Sequence, residues 1–369
     1  MLLDPGSARL SPASSPFLAA ARRQQLQDRV PVWFMRQAGR SLPEYRRVRE
    51  GIPMLESCAR PDLVAEITLQ PLRRYGVDAA IFYSDIMVPL LAVGVELDIV
   101  PGRGPVMAHR FAGEADLAAL RPVEPTDVGY VTEAVQILVR ELGEVPLIGF
   151  AGAPFTLASY LVEGGPSKDY ARTKSLMVGD PELWDALCRR LADISAGFLA
   201  AQVAAGASAV QLFDSWAGSL SAEDYGRYAQ PYAARVLQRM AELGVPRIHF
   251  GVGTAELLPL MGAAGADVVG VDWRLPLSEA SRRIGPAYAV QGNLDPALLG
   301  APWPVLAERV RAVVRSGALA PGHIFNLGHG VPPDADPAVL GRIVDLVHEE
   351  GPKLRREAGA QPADGRGSP

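Results

Sequence analysis

The chain has 369 residues, of which 49% are hydrophobic, and a mean hydropathy of +0.10, so it is expected to fold around a large globular core. Its formal net charge of -5 and isoelectric point near 5.7 exclude a general nucleic-acid binder, because such proteins carry an excess of basic residues. Any attraction for an acidic ligand must therefore be local.

The two ends of the chain are predicted to be disordered tails, over residues 1–14 and 355–369, because both are rich in small and polar residues. From Pro16 the pattern FLAAARRQQLQ predicts a short amphipathic helix. The N-terminal stretch has no charged segment followed by a sustained apolar run, so no signal peptide is predicted. No apolar run reaches membrane-spanning length either. The sequence thus predicts a cytoplasmic protein with no membrane or nucleic-acid partner.

Between the tails, apolar runs rich in β-forming residues alternate with stretches of helical periodicity. Continuous apolar strands joined by helices predict a parallel sheet that is covered on both faces. Eight such units predict an α/β fold, a single (β/α)8 TIM barrel over residues 15–354, which is a length such barrels reach as one domain. The eight runs are 31–35, 79–84, 146–150, 208–213, 247–251, 268–272, 289–293 and 323–328.

One connection, from residue 86 to residue 145, is too long for a single helix. It contains the turn sequence Pro101-Gly102-Arg103-Gly104, which predicts a small hairpin that leaves the barrel.

The first apolar run ends in a loop that carries two guanidinium groups. Arg36 follows the run directly, and Arg40 lies four residues further on, beyond a glycine. Charge at the end of a core strand is costly unless an anion pairs with it, and the planar fork of arginine suits carboxylates. Two interpretations remain open: a site for an anionic ligand, or structural salt bridges to carboxylates of the barrel.

Chemistry in such barrels takes place at the carboxyl ends of the strands, so the polar residues there are candidates for an active site. Asp85 follows the second run, Tyr160 lies beyond the third, Ser215 follows the fourth and His329 follows the last. Asp85 and Ser215 have an alternative role as helix caps, and Tyr160 has one as a core aromatic. His329 lies between two glycines, which should leave its imidazole exposed.

Other polar residues at strand ends are left out of the predicted site. Asp272 and Asp295 are interpreted as caps or as salt-bridge partners within the barrel. Cys58 and Cys188 show neither a CxxC pair nor a metal-binding spacing, and both fall in predicted helices. They are interpreted as buried thiols in a reducing compartment, and no metal or cofactor is predicted.

Several segments resemble the uroporphyrinogen decarboxylase family, whose members remove carboxylates from a cyclic tetrapyrrole in the haem pathway. PVWFMRQAGR at 31–40 is similar to one signature of that family, and GFAGAPFTLASYLVEGG at 149–165 is similar to another. FYSD, FDSWAG and NLGHGV extend the resemblance over roughly residues 15–350. Trp216, which follows the serine of FDSWAG, stands where some family members have other residues, and we expect it to affect the shape of the pocket.

The resemblance implies a homodimeric carboxy-lyase that converts uroporphyrinogen III to coproporphyrinogen III and four CO2 without a cofactor. It also implies that Asp85 is catalytic, facing the pyrrole N–H groups. The substrate-binding residues implied by the family are Arg36, Gln37, Ala38, Gly39, Arg40, Asp85, Tyr160, Ser215 and His329.

The physical problem in such a reaction is to hold the electrons that the departing CO2 leaves behind. A pyrrole that is protonated at its α-carbon accepts them, and a fixed anion such as Asp85 stabilises the cation that precedes their transfer. The proton donor remains open between Arg36, a bound water and a carboxyl group of the substrate, although a guanidinium is a poor acid. Two roles also remain open for His329, a contact to a substrate carboxylate or the general acid, and the contact is favoured.

Two rival functions are weighed against this one. Corrinoid-dependent methyl transfer occurs in relatives of the family and uses zinc to activate a thiol, but neither cysteine lies near a late strand end. A non-enzymatic tetrapyrrole carrier would need the arginines and not the central carboxylate, so replacement of Asp85 distinguishes the two.

Overall fold

The computed structural model describes residues 15–24 and 29–360. The predicted tail over residues 1–14 lies outside this part of the chain, as do residues 361–369.

The described residues contain two β-sheets, a large parallel one and a small antiparallel one. The strands are β1 Ala80–Ile81, β2 Leu97–Val100, β3 Gly104–Met107, β4 Leu147–Gly152, β5 Ala209–Asp214, β6 Arg247–Gly251, β7 Val268–Gly270, β8 Ala289–Leu294 and β9 His323–Leu327. The large sheet has the order β1-β4-β5-β6-β7-β8-β9, and every neighbouring pair is parallel. The carboxyl ends of all seven strands therefore lie along one edge, which confirms the predicted α/β class.

Helices connect the strands and cover the sheet. They are α1 Pro16–Ala21, α2 Pro43–Val48, α3 Met54–Cys58, α4 Pro61–Tyr75, α5 Val88–Ala92, α6 Glu114–Ala119, α7 Gly129–Leu142, α8 Pro154–Glu163, α9 Ala171–Gly179, α10 Pro181–Ala205, α11 Ala222–Tyr228, α12 Gln230–Glu242, α13 Leu258–Ala263, α14 Leu277–Ile284, α15 Trp303–Gly317 and α16 Pro337–Ala360. Six of them begin with proline, whose fixed φ suits the first turn and whose missing N–H would have no partner there. The predicted helix from Pro16 is confirmed as α1.

The core forms two layers, one on each face of the large sheet. Successive residues of a strand point to opposite faces, so Ile148 and Phe150 of β4 enter the inner cluster while Leu147 and Ala151 pack under the helices. Phe17 of α1 also belongs to the inner cluster. The polar residues of the site are therefore carried at the rim of a buried apolar sheet.

The first predicted run, residues 31–35, does not form a strand and makes only a single bridge, between Val32 and Phe325 of β9. The reason lies in its hydrogen-bond donors. Pro31 has no N–H, and the N–H groups of Val32, Phe34 and Met35 donate to side-chain oxygens of Asp78, Gln37 and Asn326 respectively. With those donors occupied, no regular ladder forms. The other seven predicted runs each overlap a strand of the large sheet.

The long connection after β1 contains the predicted hairpin. Strands β2 and β3 are antiparallel, with Val100 opposite Gly104, so the turn falls at residues 101–103. Gly102 and Gly104 both have positive φ, as a tight turn of this kind requires.

The C-terminal boundary of the predicted domain needs correction, because α16 continues to Ala360 and not to residue 354. Leu354 is buried, and Lys353 lies 3.8 Å from Glu357 in an i,i+4 pair that favours helix over the next turn. Throughout the described residues, no helix combines the length and the apolar character needed to cross a membrane.

Candidate active site

The four predicted residues beyond the first loop all lie at the carboxyl edge of the large sheet. Asp85 comes four residues after β1, and Tyr160 lies in α8, which begins two residues after β4. Ser215 immediately follows β5, and His329 lies two residues beyond β9. Residues more than 240 positions apart in sequence thus share one rim.

Arg36 stands on the same rim in an unusual backbone conformation. Its φ is +59°, a left-handed value that is strained for any residue other than glycine. The preceding residue, Met35, is fixed at both ends, since its N–H donates to Asn326 Oδ1 at 3.0 Å and its carbonyl accepts from Val331 at 2.8 Å. The side chain of Arg36 runs across Gly330, where a Cβ atom would lie 2.5 Å from its Cδ. The loop after β9 therefore holds the side chain of Arg36 along the rim.

The two arginines are exposed, whereas the residues between them hold the loop in shape. Gln37 is fully buried; its amide accepts from Phe34 and donates to the carbonyl of Ala79. Ala38 and Gly39 are half-buried. Within the described residues, no carboxylate lies within 4.0 Å of either Arg36 or Arg40. The interpretation as structural salt bridges therefore finds no support there, and both charges remain available to an anion.

Asp85 keeps one carboxylate oxygen for a ligand. Its Oδ1 accepts the N–H of Met87 at 2.9 Å, in the turn that precedes α5, and this is the only hydrogen bond its side chain makes among the described residues. The alternative role as a helix cap is not confirmed, because α5 takes no side-chain hydrogen bond at its start. Burial raises the pKa of the Asp85 carboxyl, while the Met87 N–H and the charge of Arg36 act to lower it.

Arg36 also acts electrostatically on the other two titratable residues of the rim. Burial lowers the pKa of the His329 imidazole, and the positive charge of Arg36 lowers it further. Burial raises the pKa of the Tyr160 phenol, with the charge of Asp85 acting in the same direction and that of Arg36 in the opposite one. Arg36, Asp85, Tyr160 and His329 therefore form one coupled group, in which His329 is neutral at physiological pH.

Tyr160 belongs to a stack of three aromatic rings, here called the aromatic wall: Tyr160, Trp216 and Tyr170. The ring centroids of Tyr160 and Trp216 are 3.8 Å apart, and those of Trp216 and Tyr170 are 5.0 Å apart. Ser215, beside Trp216, is half-buried and caps no helix, because the short 3-10 helix at Ala217–Ser219 takes no side-chain hydrogen bond at its start. The aromatic wall supplies apolar surface at the rim, whereas Arg36 supplies positive charge.

Sequence reasoning missed Trp273 and Arg274, which lie next to His329. The rings of Trp273 and His329 meet edge to face at 6.4 Å, and the guanidinium of Arg274 lies 4.0 Å from the centre of the Trp273 ring. The available signal was their position directly after the predicted strand at 268–272.

The two aspartates that were left out of the site do play structural roles. Asp272 accepts from Gly253 N–H and pairs with Arg274 at 2.5 Å, and Asp295 caps the 3-10 helix at Pro296–Gly300.

The cysteines are buried in helices, as predicted. Cys58 ends α3 and Cys188 lies in α10, and burial raises the pKa of the Cys58 thiol to about 12. Over the described part of the chain, no three His, Cys, Asp or Glu side chains are grouped so that they could hold a metal ion. These residues therefore do not provide the zinc and thiol ligand set that corrinoid-dependent methyl transfer requires.

Comparison with solved structures supports the fold. The chain is similar to a methyltransferase from Methanosarcina mazei, with a TM-score of 0.75 at 20% identity, covering 94% of this chain and 98% of that one. A B12-independent methionine synthase from Shewanella is a more distant match, with a TM-score of 0.55 at 12% identity over 80% of this chain and 87% of that one. At such identities the likeness concerns the fold alone.

Sequence comparison is more specific. The family model for uroporphyrinogen decarboxylase (URO-D) matches residues 12–350. A protein of Salinispora tropica named uroporphyrinogen decarboxylase is 63% identical over 346 residues, covering 94% of this chain and 93% of its own. One of the same name from Thermobifida fusca is 64% identical over 336 residues, covering 91% and 93% respectively. The chain belongs to the uroporphyrinogen decarboxylase family.

Proposed function

We propose that this protein is a uroporphyrinogen decarboxylase that removes the four acetate carboxylates of uroporphyrinogen III without a cofactor. The products are coproporphyrinogen III and four CO2. The observation that carries the proposal is the half-buried carboxylate of Asp85, which keeps a free oxygen on the same rim as two arginines that pair with no carboxylate of the described residues. This arrangement accepts a ligand that presents N–H groups at its centre and carboxylates at its edge.

Each decarboxylation consumes one proton. Protonation of the pyrrole α-carbon creates a cation that is conjugated to the acetate side chain. The bond to the carboxylate then breaks, CO2 leaves, and its electron pair neutralises the ring as an exocyclic methylene. A second proton converts the methylene to a methyl group, and the α-carbon returns its proton. Asp85 stabilises the cation because it is already fixed and partly desolvated before the charge develops.

The other rim residues hold and orient the substrate. Arg36 and Arg40 bind the outer carboxylates, with the backbone of residues 37–39 shaping the loop between them. Ser215 and His329 supply neutral hydrogen-bonding groups, and Tyr160 lies under the edge of the macrocycle as part of the aromatic wall. Gln37 acts through the loop, since its side chain faces the interior.

We also propose that residues 31–35 close the sheet into a (β/α)8 barrel within a single catalytic domain that starts at residue 15. The support is a set of backbone hydrogen bonds on both sides of this segment. Phe325 donates to Pro31 and accepts from Trp33 on one side, and Asp78 donates to Val32 on the other.

A homodimer in the cytoplasm is the state that the family resemblance favours, and two buried free thiols suit a reducing compartment. Analytical ultracentrifugation of the purified chain tests the dimer, and a single species with the monomer mass would contradict it.

The decisive test of the function is anaerobic incubation of the purified protein with uroporphyrinogen III, followed by mass analysis of the products. We expect stepwise loss of four carboxylates. A tetrapyrrole carrier would instead bind the substrate and return it unchanged, with no difference between the wild type and Asp85→Asn.

A further inference from the structure

A chain of fully buried polar side chains lies behind the aromatic wall. Thr156, Asp214 and His249 are at most 1% exposed, and they come from three different elements, α8, β5 and β6. Polar groups that are removed from water to this extent are retained at a cost, which hydrogen bonds offset. Asp214 ends β5 and Thr156 lies near the start of α8, so the chain lies directly behind the rim, and none of its three residues was assigned to the substrate.

The contacts form a series that begins at Met261 in α13 and ends at Trp216 of the aromatic wall. The Nδ1 atom of His249 lies 3.2 Å from the carbonyl of Met261, which can only accept, so Nδ1 carries a proton and Nε2 faces Asp214. Nε2 lies 3.7 Å from Asp214 Oδ2, which is too far for a hydrogen bond, so His249 packs beside the carboxylate without bonding to it. The other oxygen, Oδ1, accepts the hydroxyl of Thr156 at 3.0 Å, and that hydroxyl in turn accepts the N–H of Trp216 at 3.3 Å.

One hydroxyl group therefore links the two segments that carry Tyr160 and Trp216. Thr156 lies one helical turn before Tyr160 on α8, and its hydroxyl also holds the backbone of Trp216, whose ring stacks on Tyr160 at 3.8 Å. A second tie, from Ala153 N–H to the carbonyl of Phe213 at 2.8 Å, fixes the start of the same helix to β5. Loss of the Thr156 hydroxyl would free Trp216 while leaving α8 attached.

We propose that Thr156, supported by Asp214, is a positioning residue that sets the orientation of Trp216 against Tyr160 and thereby controls how partly decarboxylated intermediates are held. The inference rests on the proposed function and extends it to residues behind the site. The full substrate is anchored by its many carboxylates. Each acetate that is lost removes an ionic anchor, so the later intermediates depend more on the shape of the aromatic wall.

The test compares two deletions of a buried hydroxyl on the same helix. Thr156→Val removes the hydroxyl at constant volume, and Thr156→Ser restores it. Ser159→Ala is the matched control, because Ser159 is equally buried, but among the described residues its hydroxyl bonds only within α8, to the carbonyl of Phe155 at 2.8 Å. Trp216→Phe shortens the wall directly and keeps the proposal testable if Thr156→Val does not fold.

In anaerobic time courses, we expect Thr156→Val to carry out the first decarboxylation within about twofold of the wild-type rate. The later steps should slow by up to about 100-fold, so that intermediates with five to seven carboxylates accumulate. Thr156→Ser and Ser159→Ala should give the wild-type product distribution, and Trp216→Phe should accumulate the same intermediates. A purely structural role would lower the melting temperature of Thr156→Val and leave the product distribution unchanged, which would overturn the proposal.

Near-ultraviolet circular dichroism gives a readout that does not need turnover. The difference spectrum between wild type and Trp216→Phe isolates the signal of the stacked pair, which Thr156→Val should diminish and Thr156→Ser should recover. An unchanged signal in Thr156→Val, or no recovery in Thr156→Ser, would also overturn the proposal. If the wild type itself releases no CO2, the proposed function fails, and the spectra still decide whether Thr156 orients the wall.

Discussion

Arg36 links the charges of the site at the scale of single residues. It is exposed and held in a left-handed conformation by contacts of its neighbours, and its charge acts on Asp85, Tyr160 and His329 together. Such a residue has two separable effects, one on the ligand through its own charge and one on the titration of the groups around it. Replacement of Arg36 tests both effects, and replacement of Asp85 tests the charge on which Arg36 acts.

Replacement of Asp85 should separate catalysis from binding. Removal of one preorganised charge from a transition state typically costs about 2.7–4 kcal/mol, so Asp85→Asn should lose on the order of 100- to 1,000-fold in kcat. Binding of uroporphyrinogen should be largely retained. Steady-state rates and equilibrium binding measure the two effects, and a rate close to that of the wild type would remove Asp85 from the mechanism.

The same substitution should affect stability in the opposite direction. Burial raises the pKa of Asp85 in the folded state, so the folded chain holds this proton more tightly than the unfolded chain. The wild type therefore loses stability as pH rises from roughly 4, the ordinary value for Asp, through the raised value. Asp85→Asn avoids that loss and should melt at a higher temperature than wild type at pH 7. The difference should disappear below about pH 4.

Arg36→Met should weaken substrate binding and shift the pH profile. Loss of a charge-assisted hydrogen bond should lower kcat/KM by an amount that corresponds to about 1.5–3 kcal/mol of activation free energy. Because Arg36 acts to lower the pKa of Asp85, its removal raises that pKa, and the acid limb of kcat/KM should move to higher pH. Arg235→Met, which removes an exposed charge that is paired with Asp193, should change neither kcat/KM nor its pH dependence. A large fall in melting temperature for Arg36→Met would favour a structural role instead.

His329 is expected to act as a neutral contact. Its pKa is lowered by burial and by Arg36, so the imidazole does not titrate above its usual value of about 6.5. His329→Asn should keep appreciable first-step activity, accumulate partly decarboxylated products and leave the pH profile unchanged between about pH 7 and 8.5. If even the first decarboxylation disappears while substrate still binds, His329 is instead the essential proton donor.

At the scale of elements, the loop after β9 positions both Arg36 and Trp273 through two glycines. A side chain at Gly330 would meet the flexible side chain of Arg36, whereas one at Gly328 would meet the backbone of Trp273. Gly330→Ala should therefore raise KM with little change in melting temperature, and Gly328→Ala should lower the melting temperature. Steady-state kinetics and thermal denaturation of both variants check the contrast, which a reversed pattern would contradict.

Asp85 is carried by the segment that follows β1. The N–H groups of Ala80 and Phe82 donate toward β4, so the N–H of Tyr83 faces the opposite side, where it donates to the hydroxyl of Thr68 in α4 at 3.1 Å. Asp85 lies two residues further along the chain. A side chain on a helix thus helps to hold the segment that carries this carboxylate.

At the scale of the whole molecule, Asp78 joins the two ends of the described chain. Its carboxylate, 5% exposed, accepts from Val32 N–H and pairs with Arg29 and His348, each at 2.7 Å. Asp78→Asn should destabilise the protein by about 1–3 kcal/mol, the cost of leaving buried partners unsatisfied. Asp193→Asn, at the exposed pair with Arg235, should cost about 0–1 kcal/mol. Chemical denaturation measures both, and equal losses would contradict a special role for Asp78.

The sequence by itself determined the sheet and the edge of it at which the candidate residues lie. Apolar runs of strand length, each followed by helical periodicity, specify parallel strands because only such strands bury both faces. The seven strands fall within the predicted runs to within a few residues. Asp85, Tyr160, Ser215 and His329 were predicted at the carboxyl edge because polar residues that follow core strands have nowhere else to lie, and the structure places all four there.

The tertiary structure decided what depends on partners that are distant in sequence. Residues 31–35 have the composition of a strand, but side chains from Asp78 and Asn326 occupy N–H groups that a ladder would use. The buried chain behind the aromatic wall brings together residues of three elements, and no local pattern marks Thr156 as the hydrogen-bond partner of Asp214. Periodicity reports which face of an element is buried, whereas pairings across the fold depend on where the packed sheet brings the side chains together.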